Sequence, residues 1–524
     1  MRTNYLYYGD NLEIMPLIPN ESVDLCYIDP PFNSKRDYNQ IYNNIEVKDK
    51  AQVQAFTDTW EWDDAAEKGF TRFDLDFEKG DNSIPEKTKH LILALNTILD
   101  KGSLLAYIIS ITQRILEIYR VLKPTGSFYL HCDTTASHYL KLVLDSIFCE
   151  RGGDFLNEIA WCYKSRPQSK RHFGKKHDII FFYTKTEKYT FNWENVARPL
   201  SETTIKKYRL VDENGRKYRL QGRGITGSPI RSAKDVDKKW EETNPELVVR
   251  DYLDEKIGVA LEDWWEIDII NQSAKERLGY PTQKPERLLE RIILASTNEG
   301  DVVLDAYCGC GTTVAVAERL KRKWIGIDIT YNSISLIIKR LTESYGKNIL
   351  DKIDIVGIPK DIAAARDLSL KSKTRKEFEI WAIMTYSNDR AIPNEKKGAD
   401  KGIDGKMYIT TSLSPLEHSP ILFSVKSGAV NVSQIRDFLH VIEREKAAAG
   451  VFLTLEEPTK PMLQEAKKAG KYVNPLTEIS FDKLQIVTIR EMFEGARANF
   501  PNVQTVLKEA QRKKIDNDNL MVFN

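Results

Sequence analysis

A short apolar run, Val23-Asp24-Leu25-Cys26-Tyr27-Ile28, ends abruptly in Asp29-Pro30-Pro31-Phe32. The run reads as a buried strand. Two prolines cannot continue a ladder, so an acid, two prolines and an aromatic are held at the strand's C-terminal edge. In open α/β sheets that edge is where ligands bind. The chemistry of the tetrapeptide is specific. An exocyclic amine on a base is a poor nucleophile, because its lone pair is delocalised into the ring. Asp29 can accept one hydrogen bond from such an amine, and the carbonyl beside Pro30 a second. Phe32 offers a flat face to a base taken out of its stack. Taken alone, the tetrapeptide is as readily an ordinary strand-to-turn junction.

A second stretch shifts that balance. Val302-Val303-Leu304-Asp305-Ala306-Tyr307-Cys308-Gly309-Cys310-Gly311-Thr312-Thr313 reads as a buried strand, a glycine-rich turn and a helix start. Trp324-Ile325-Gly326-Ile327-Asp328 is another strand ending in an acid. Glycines permit close backbone approach to a nucleotide, and a second acid suits ribose hydroxyls.

Together these residues resemble the amino-group DNA methyltransferases that use S-adenosylmethionine. The order, Asp-Pro-Pro-Phe first and the glycine-rich loop much later, resembles the β-class, which includes modification subunits of type III restriction systems. The resemblance spans about residues 1–350. It implies a circularly permuted Rossmann-like sheet, an α/β fold whose cofactor strands come late and catalytic strands early. It implies catalysis by Asp29, Pro30, Pro31 and Phe32. Cofactor contacts fall on Asp305, Tyr307, Gly309, Gly311, Thr312 and Asp328. Asp10, after the strand Tyr5 to Tyr8, is implied to contact the cofactor's adenine amine, although a helix N-cap explains it equally well. Tyr280-Pro281-Thr282-Gln283-Lys284-Pro285 matches the β-class motif at the methionine end of the cofactor, which implies roles for Thr282, Gln283 and Lys284. Asp-Pro-Pro-aromatic leans by resemblance to adenine N6, and Ser-Pro-Pro to cytosine N4.

Composition narrows the rest. Lys+Arg number 77 against Asp+Glu 76, so nucleic-acid binding must rest on local clusters. The six cysteines include no C-x-x-C pair, and most read as core residues in a reducing compartment. No apolar run reaches membrane-spanning length, and no metal-ligating cluster is read in the methyltransferase part. A soluble, cytoplasmic, nucleoid-associated protein is expected.

Along the chain, residues 33–89 read as a long irregular lid after the catalytic strand. Its aromatics Tyr38, Tyr42, Phe56, Trp60 and Trp62 could clamp a displaced base or wedge the duplex but mostly suit packing onto the body, while Lys35, Arg36 and Tyr38 are placed for DNA contact. Two helices follow from His90 to Leu122, and Lys123-Pro124-Thr125-Gly126 reads as a stop before the strand Ser127 to His131. His131 borders the active face, where a lone histidine is more often a satisfied structural residue. Residues 164–176 contain Lys164, Arg166, Lys170 and Arg171 and no acid. Residues 206–223 carry a second basic cluster interleaved with Tyr208 and Tyr218. In a neutral chain, two such clusters suggest phosphate contact with double-stranded DNA. The family order places a target-recognition region at 190–262, between a catalytic half (1–189) and a cofactor-binding half (263–350).

Residues 351–374 read as a linker. Beyond it, Asp404 and the strand Ile421-Leu422-Phe423-Ser424-Val425-Lys426 resemble the PD-(D/E)xK nuclease fold, in its Mrr-like branch, over 375–490, with a tail at 491–524. In that fold an Asp and a second acid hold Mg²⁺ and a Lys assists water, which makes Mg²⁺ a candidate cofactor there. Asp404 and Lys426 match, but Ser424 stands where Glu or Gln is expected, and a hydroxyl is a poorer metal ligand. Glu379 on the preceding helix is a candidate second carboxylate. An active nuclease and an inactive DNA-binding or assembly domain both remain open, with the balance toward no independent cutting. β-class enzymes are often dimers, so a homodimer and a separate restriction subunit stand as candidate partners. A DNA-binding module with a decayed enzyme is the contrasting class, against which the intact Asp29, Asp305 and Asp328 argue.

Overall fold

In the computed structural model, the strand that ends at Asp29 lies in the middle of a nine-stranded sheet. The structure describes residues 4–32, 36–41, 52–58, 60–76, 80–164, 171, 173–222, 238–243, 245–271, 274–278, 280, 282–370, 375–394, 402–413 and 416–501. In chain order the sheet strands are β1 (Asn4–Tyr8), β2 (Val23–Ile28), β3 (Leu122–Cys132), β4 (Asp154–Cys162) and β5 (His177–Thr184). They continue as β6 (Trp264–Glu266), β7 (Val302–Asp305), β8 (Lys323–Asp328) and β9 (Ile353–Val356). Across the sheet the order is β6-β4-β5-β3-β2-β7-β8-β1-β9. β5 runs antiparallel to β3 and β4, and the other pairings are parallel.

A parallel strand this central must be apolar on both faces, and β2 is. Cys26 and Ile28 pack on one side with the helices Glu86–Leu99, Ser103–Val121 and Ser137–Ile147. Leu25 and Tyr27 pack on the other with the helices Glu286–Ser296, Thr312–Arg319 and Tyr331–Tyr345. Alternation along one strand thus feeds two cores. β2 pairs with β7, so the sheet's middle is built from the two ends of the methyltransferase part. Their C-terminal ends bring Asp29 and Asp305 to one edge.

Three expectations change. Lys123 to Gly126 does not precede β3 but lies inside it. Val23 pairs with Leu122 and Leu25 with Ser127, so Asp24 alone faces the four residues Lys123 to Gly126. The Lys123 ammonium to the Asp24 carboxylate (2.7 Å) closes that bulge. Residues 33–89 are not simply irregular: Arg36–Ile41 and Gln52–Asp58 form an antiparallel hairpin, and Asp64–Thr71 is a helix. Trp60 and Trp62 pack against the core, Trp60 edge-on to Tyr107. Residues 351–374 are not a plain linker. β9 extends the main sheet beside β1, and Ile362–Leu370 is a helix whose Ala365 enters the core of the C-terminal domain.

That domain holds a five-stranded sheet: β10 (Ile392–Pro393), β11 (Gly405–Leu413), β12 (Leu416–Lys426), β13 (Ala449–Thr454) and β14 (Leu484–Thr488), in that spatial order. The β10–β11 and β11–β12 pairs are antiparallel, the β12–β13 and β13–β14 pairs parallel. The helices Arg375–Ser387 and Val432–Arg444 bury Phe378 and Trp381, and Ile435 and Phe438, in separate cores.

A separate compact unit comprises the described residues of 190–263 with 294–297. Within it Leu210–Val211, Lys217–Gly222 and Val248–Tyr252 form an antiparallel sheet. Here much of the second basic cluster is neutralised from within. Arg216 pairs with Asp254 (2.7 Å) and Glu255 (2.7 Å), and Arg219 with Asp251 (2.8 Å). Those acids lie beyond the cluster in sequence, so a local charge count misses them.

Glu377, on the Arg375–Ser387 helix, joins the C-terminal domain to the main sheet. Its Oε2 accepts from the Tyr8 hydroxyl (3.0 Å) and the Tyr331 backbone N–H (3.1 Å). Burial pushes its carboxyl up to about 7, against the opposing effect of the hydrogen bonds from Tyr331 and Tyr8. A raised acid binds its proton more tightly in the folded than in the unfolded chain. Stability therefore falls as pH rises from about 4.5 to 7, by roughly 2–3 kcal/mol from this group. Glu377→Gln keeps an acceptor there and is expected to remove that share of the loss. The check is chemical denaturation of both proteins at pH 5 and pH 8.

Candidate active site

Three carboxylates stand at the C-terminal ends of adjacent strands: Asp29 after β2, Asp305 on β7 and Asp328 on β8. Such an edge, where the chain leaves the sheet in opposite directions, forms a crevice. The turn after β7 supplies its floor. Gly309 (φ 47°) and Gly311 (φ 74°) adopt left-handed backbone that a side chain would strain. At Gly311 a Cβ would also lie 2.6 Å from Ile337 Cγ1. The Gly309 N–H donates to Asp328 Oδ2 (2.9 Å), and Asp328 Oδ1 accepts from the Thr330 N–H and hydroxyl (2.9 Å each). Thr312 begins the helix that follows and donates to the Lys284 carbonyl (3.4 Å). Asp305 Oδ1 accepts from the Tyr307 N–H (3.0 Å).

Electrostatics favour a cationic guest. Burial first, then the charges of Asp29 and Asp328, lift the Asp305 carboxyl to about 7. Burial also raises Asp328. Gathering Asp305 and Asp328 beside Asp29 in one cleft is unfavourable until something positive relieves it. S-adenosylmethionine, a sulfonium with vicinal ribose hydroxyls, fits that donor set: Asp305 and Asp328 would supply acceptors for charge and hydroxyls, and the glycine turn leaves its backbone open.

Asp29 itself is held by a residue far along the chain. Its Oδ2 pairs with the Lys284 ammonium, which also sits over the Phe32 ring at 5.4 Å. Its Oδ1 is buried and has no hydrogen-bond partner among the described residues. His131 Nδ1 lies 3.5 Å from it. The same Nδ1 faces the Tyr27 hydroxyl at 3.0 Å, and His131 Nε2 faces Asp178 Oδ2 at 3.3 Å. An imidazole that donates from Nε2 to the Asp178 carboxylate has Nδ1 free to accept from Tyr27. Nothing in that arrangement donates to Asp29 Oδ1, which therefore remains an empty acceptor next to an aromatic face.

The other expected residues fall as follows. Asp10 caps the Asn11–Ile14 helix through the Leu12 N–H (2.9 Å) and pairs with Arg114 (3.1 Å). Arg114 also donates to Asn11, which donates to the Ala306 carbonyl (2.8 Å), tying Asp10 to the glycine-rich turn. The Gln283 amide turns back on its own loop, donating to Glu276 O (2.6 Å) and accepting from the Leu278 N–H (2.8 Å). Lys284 differs from expectation in that its ammonium meets Asp29. Thr282 sits at the turn before it. Lys164 is exposed, with its N–H on Asp268 (3.4 Å), and Arg171 is exposed. Lys35, Arg166 and Lys170 lie outside the described residues, as does the side chain of Arg36. In the C-terminal domain Lys426 Nζ is 3.8 Å from Asp404 Oδ2, which also accepts from the Val425 N–H (2.7 Å). Glu379 pairs with Lys376 (2.7 Å), and its carboxyl, raised by burial, feels Asp404 and Lys426. Among the described residues no group of three or more His, Cys, Asp or Glu is arranged to hold a metal ion.

A permuted, mostly parallel sheet with an Asp-Pro-Pro-Phe edge and an acid-and-glycine cleft defines an amino-methyltransferase. Comparison with known proteins agrees: residues 23–339 match the N6/N4 DNA methylase model, and the chain belongs to that family. Residues 371–485 match the Mrr-type restriction endonuclease model, so a DNA methyltransferase domain is joined to a restriction-endonuclease-like domain. The type II methyltransferase M.HpaI of Haemophilus parainfluenzae is 33% identical over 281 residues, covering 52% of this chain and 71% of that protein. M.EcaI of Enterobacter cloacae is 30% identical over 264 residues, covering 45% and 57%. The DNA adenine methyltransferase YhdJ of Escherichia coli is 28% identical over 338 residues, covering 64% and 82%.

Asp305 sets a pH dependence. Below about 7 it holds a proton and loses its attraction for a cation. S-adenosylmethionine is therefore expected to bind more tightly as pH rises from 6 to 8, by about five- to tenfold. Asp305→Asn should bind weakly and flatten that slope in isothermal titration calorimetry.

Proposed function

We propose that the chain methylates the N6 amine of adenine at specific sites in double-stranded DNA. The observation that carries this reading is the empty, buried Oδ1 of Asp29 beside Phe32. An exocyclic amine brings a donor to that oxygen and a second to the carbonyl beside Pro30, which turns its lone pair out of the ring plane. Lys284 pairs with the other oxygen of Asp29. Phe32, with Lys284 over its ring, gives the displaced base a face on which to stack. S-adenosylmethionine, held by Asp10, Asp305, Asp328, Thr282 and the glycine turn, supplies the methyl group when bound. Catalysis by this chain is then positioning and electrostatics, and no cysteine nucleophile is needed.

The adenine assignment draws on Asp at position 29 and on the E. coli relative, which is named as an adenine methyltransferase. The type II relatives support a place in restriction and modification, with residues 190–262 as the region that reads the target. Lys35, Arg36, Lys164, Arg166, Lys170 and Arg171 are proposed as phosphate contacts, and a homodimer or a restriction subunit as partners.

The test is to incubate protein with unmethylated genomic DNA and S-adenosylmethionine, digest to nucleosides, and identify the methylated base by mass spectrometry. N6-methyladenine is expected, reduced about 10³-fold in Asp29→Ala. N4-methylcytosine would overturn the base assignment alone.

A second reading, in which the C-terminal domain also cuts DNA, is favoured by the approach of Lys426 to Asp404 with Glu379 nearby. Ser424, buried on β12, weighs against it. If the domain cuts, Mg²⁺-dependent nicking of unmethylated plasmid is expected, abolished in Asp404→Ala. No nicking by the intact chain, or nicking unchanged in Asp404→Ala, would leave the domain a DNA-binding or assembly module.

A further inference from the structure

We propose that His131, backed by Asp178, is the positioning residue that accepts the target amine's proton from Asp29 and passes it toward solvent. This rests on Asp29 being the acid that holds the amine. His131 is fully buried, yet it is not a core histidine satisfied by one backbone partner. It stands between two carboxylates, Asp29 Oδ1 at 3.5 Å from Nδ1 and Asp178 Oδ2 at 3.3 Å from Nε2. Asp178 belongs to β5 and is less deeply buried, and its other oxygen accepts from the Tyr163 hydroxyl (3.3 Å). Burial alone would raise the Asp178 carboxyl, but the hydrogen bond and charge of His131, then Lys284 and Tyr163, hold it below its ordinary value. The ring is fixed in place by Phe32 (centroids 5.5 Å), Trp161 (5.4 Å, edge-on) and Tyr27 (6.4 Å). The titratable groups around this line are therefore Tyr27, Asp29, Tyr163, Asp178 and Lys284.

The proton balance is simple. An amine that gains a methyl group becomes cationic and must lose one proton. Its N–H bond breaks with the electron pair left on nitrogen, and an O–H bond forms at Asp29 Oδ1. That O–H breaks as an N–H forms at His131 Nδ1, with the Tyr27 hydroxyl turning aside. The imidazolium so formed lies against Asp178 and releases the proton on the Nε2 side, from where it reaches water. Asp29 is again a carboxylate at the end, and the ring, left with its proton on Nδ1, must exchange that proton before the next turnover. A buried carboxylate with no such outlet would keep the proton, and its Oδ1 would no longer be an acceptor. Asp29 therefore meets the base, and His131 and Asp178 act through it.

The experiment uses the full-length protein with S-adenosylmethionine and DNA, in single turnover. His131→Gln is expected to lower the methylation rate about 10²-fold, with affinities for S-adenosylmethionine and DNA unchanged. Asp178→Asn, which keeps a hydrogen-bond partner and removes the charge, is expected to lower the rate about tenfold. Added imidazole is expected to restore part of the rate of His131→Gly. A structural role predicts instead that Asp178→Asn is silent and that imidazole restores nothing. If His131→Gln also loses cofactor binding, its fold is damaged and Asp178→Asn decides. If both variants methylate at the unsubstituted rate while Asp29→Ala does not, the proton route is wrong and the Asp29 reading stands. If Asp29→Ala methylates normally, the reading beneath it fails.

Discussion

The pair between Asp29 and Lys284 joins positions 255 residues apart, and the rest of the site is arranged around it. One carboxylate oxygen is committed to an ammonium. Among the described residues no donor meets the other. Few buried acceptors in folded proteins go unpaired, because an unmade hydrogen bond costs about 1–3 kcal/mol. The exception here is set up by its surroundings: Asp178 draws the His131 proton to Nε2, and Tyr27 occupies Nδ1. The fold tolerates the empty oxygen because the sheet fixes every neighbour.

That sheet explains why the chain is permuted and still works. Asp29 follows β2 and Asp305 ends β7, and their adjacency depends only on strand pairing in space. Lys284 reaches Asp29 because its loop is pinned to the Thr312 helix start and stiffened by Gln283. Cofactor loop and catalytic edge are thereby one mechanical unit. The C-terminal domain adds to it through Glu377, which holds the end of β1 and the first turn of the Tyr331–Tyr345 helix together. Asp328, whose neighbour Thr330 caps that helix, lies beside this junction.

Much of this was legible in residue order. The apolar run into Asp29-Pro30-Pro31-Phe32, the glycine turn and the late strand ending at Asp328 point to the sheet and its open edge. The Glu286–Ser296 helix and the two helices before β3 follow from apolar spacing. What escaped the sequence is mostly pairing across long separations. Lys284 belongs to a recognisable motif, but nothing local shows that its charge meets Asp29. Arg114 sits among the core positions Ile111, Ile115 and Ile118 of its helix, and a charge at that spacing is a signal that an acid, here Asp10, faces it. His131 reads as structural until Asp178, on another strand, is placed at its far nitrogen. The Lys-Pro-Thr-Gly segment reads as a stop because a bulge with a local ion pair has the composition of a turn. Residues 351–374 read as a linker because a four-residue edge strand carries too little pattern to register.

The central claim is that Asp29 Oδ1 is the seat of the exocyclic amine. The most direct measurement is a crystal structure of the protein with S-adenosylmethionine and adenosine, read for the distance between that oxygen and the adenine N6. The account requires roughly 2.7–3.2 Å, with the ring against Phe32 and Lys284 still on Oδ2. Adenine bound in the cleft with N6 directed away from Asp29, or with Lys284 bridging both oxygens, would contradict it.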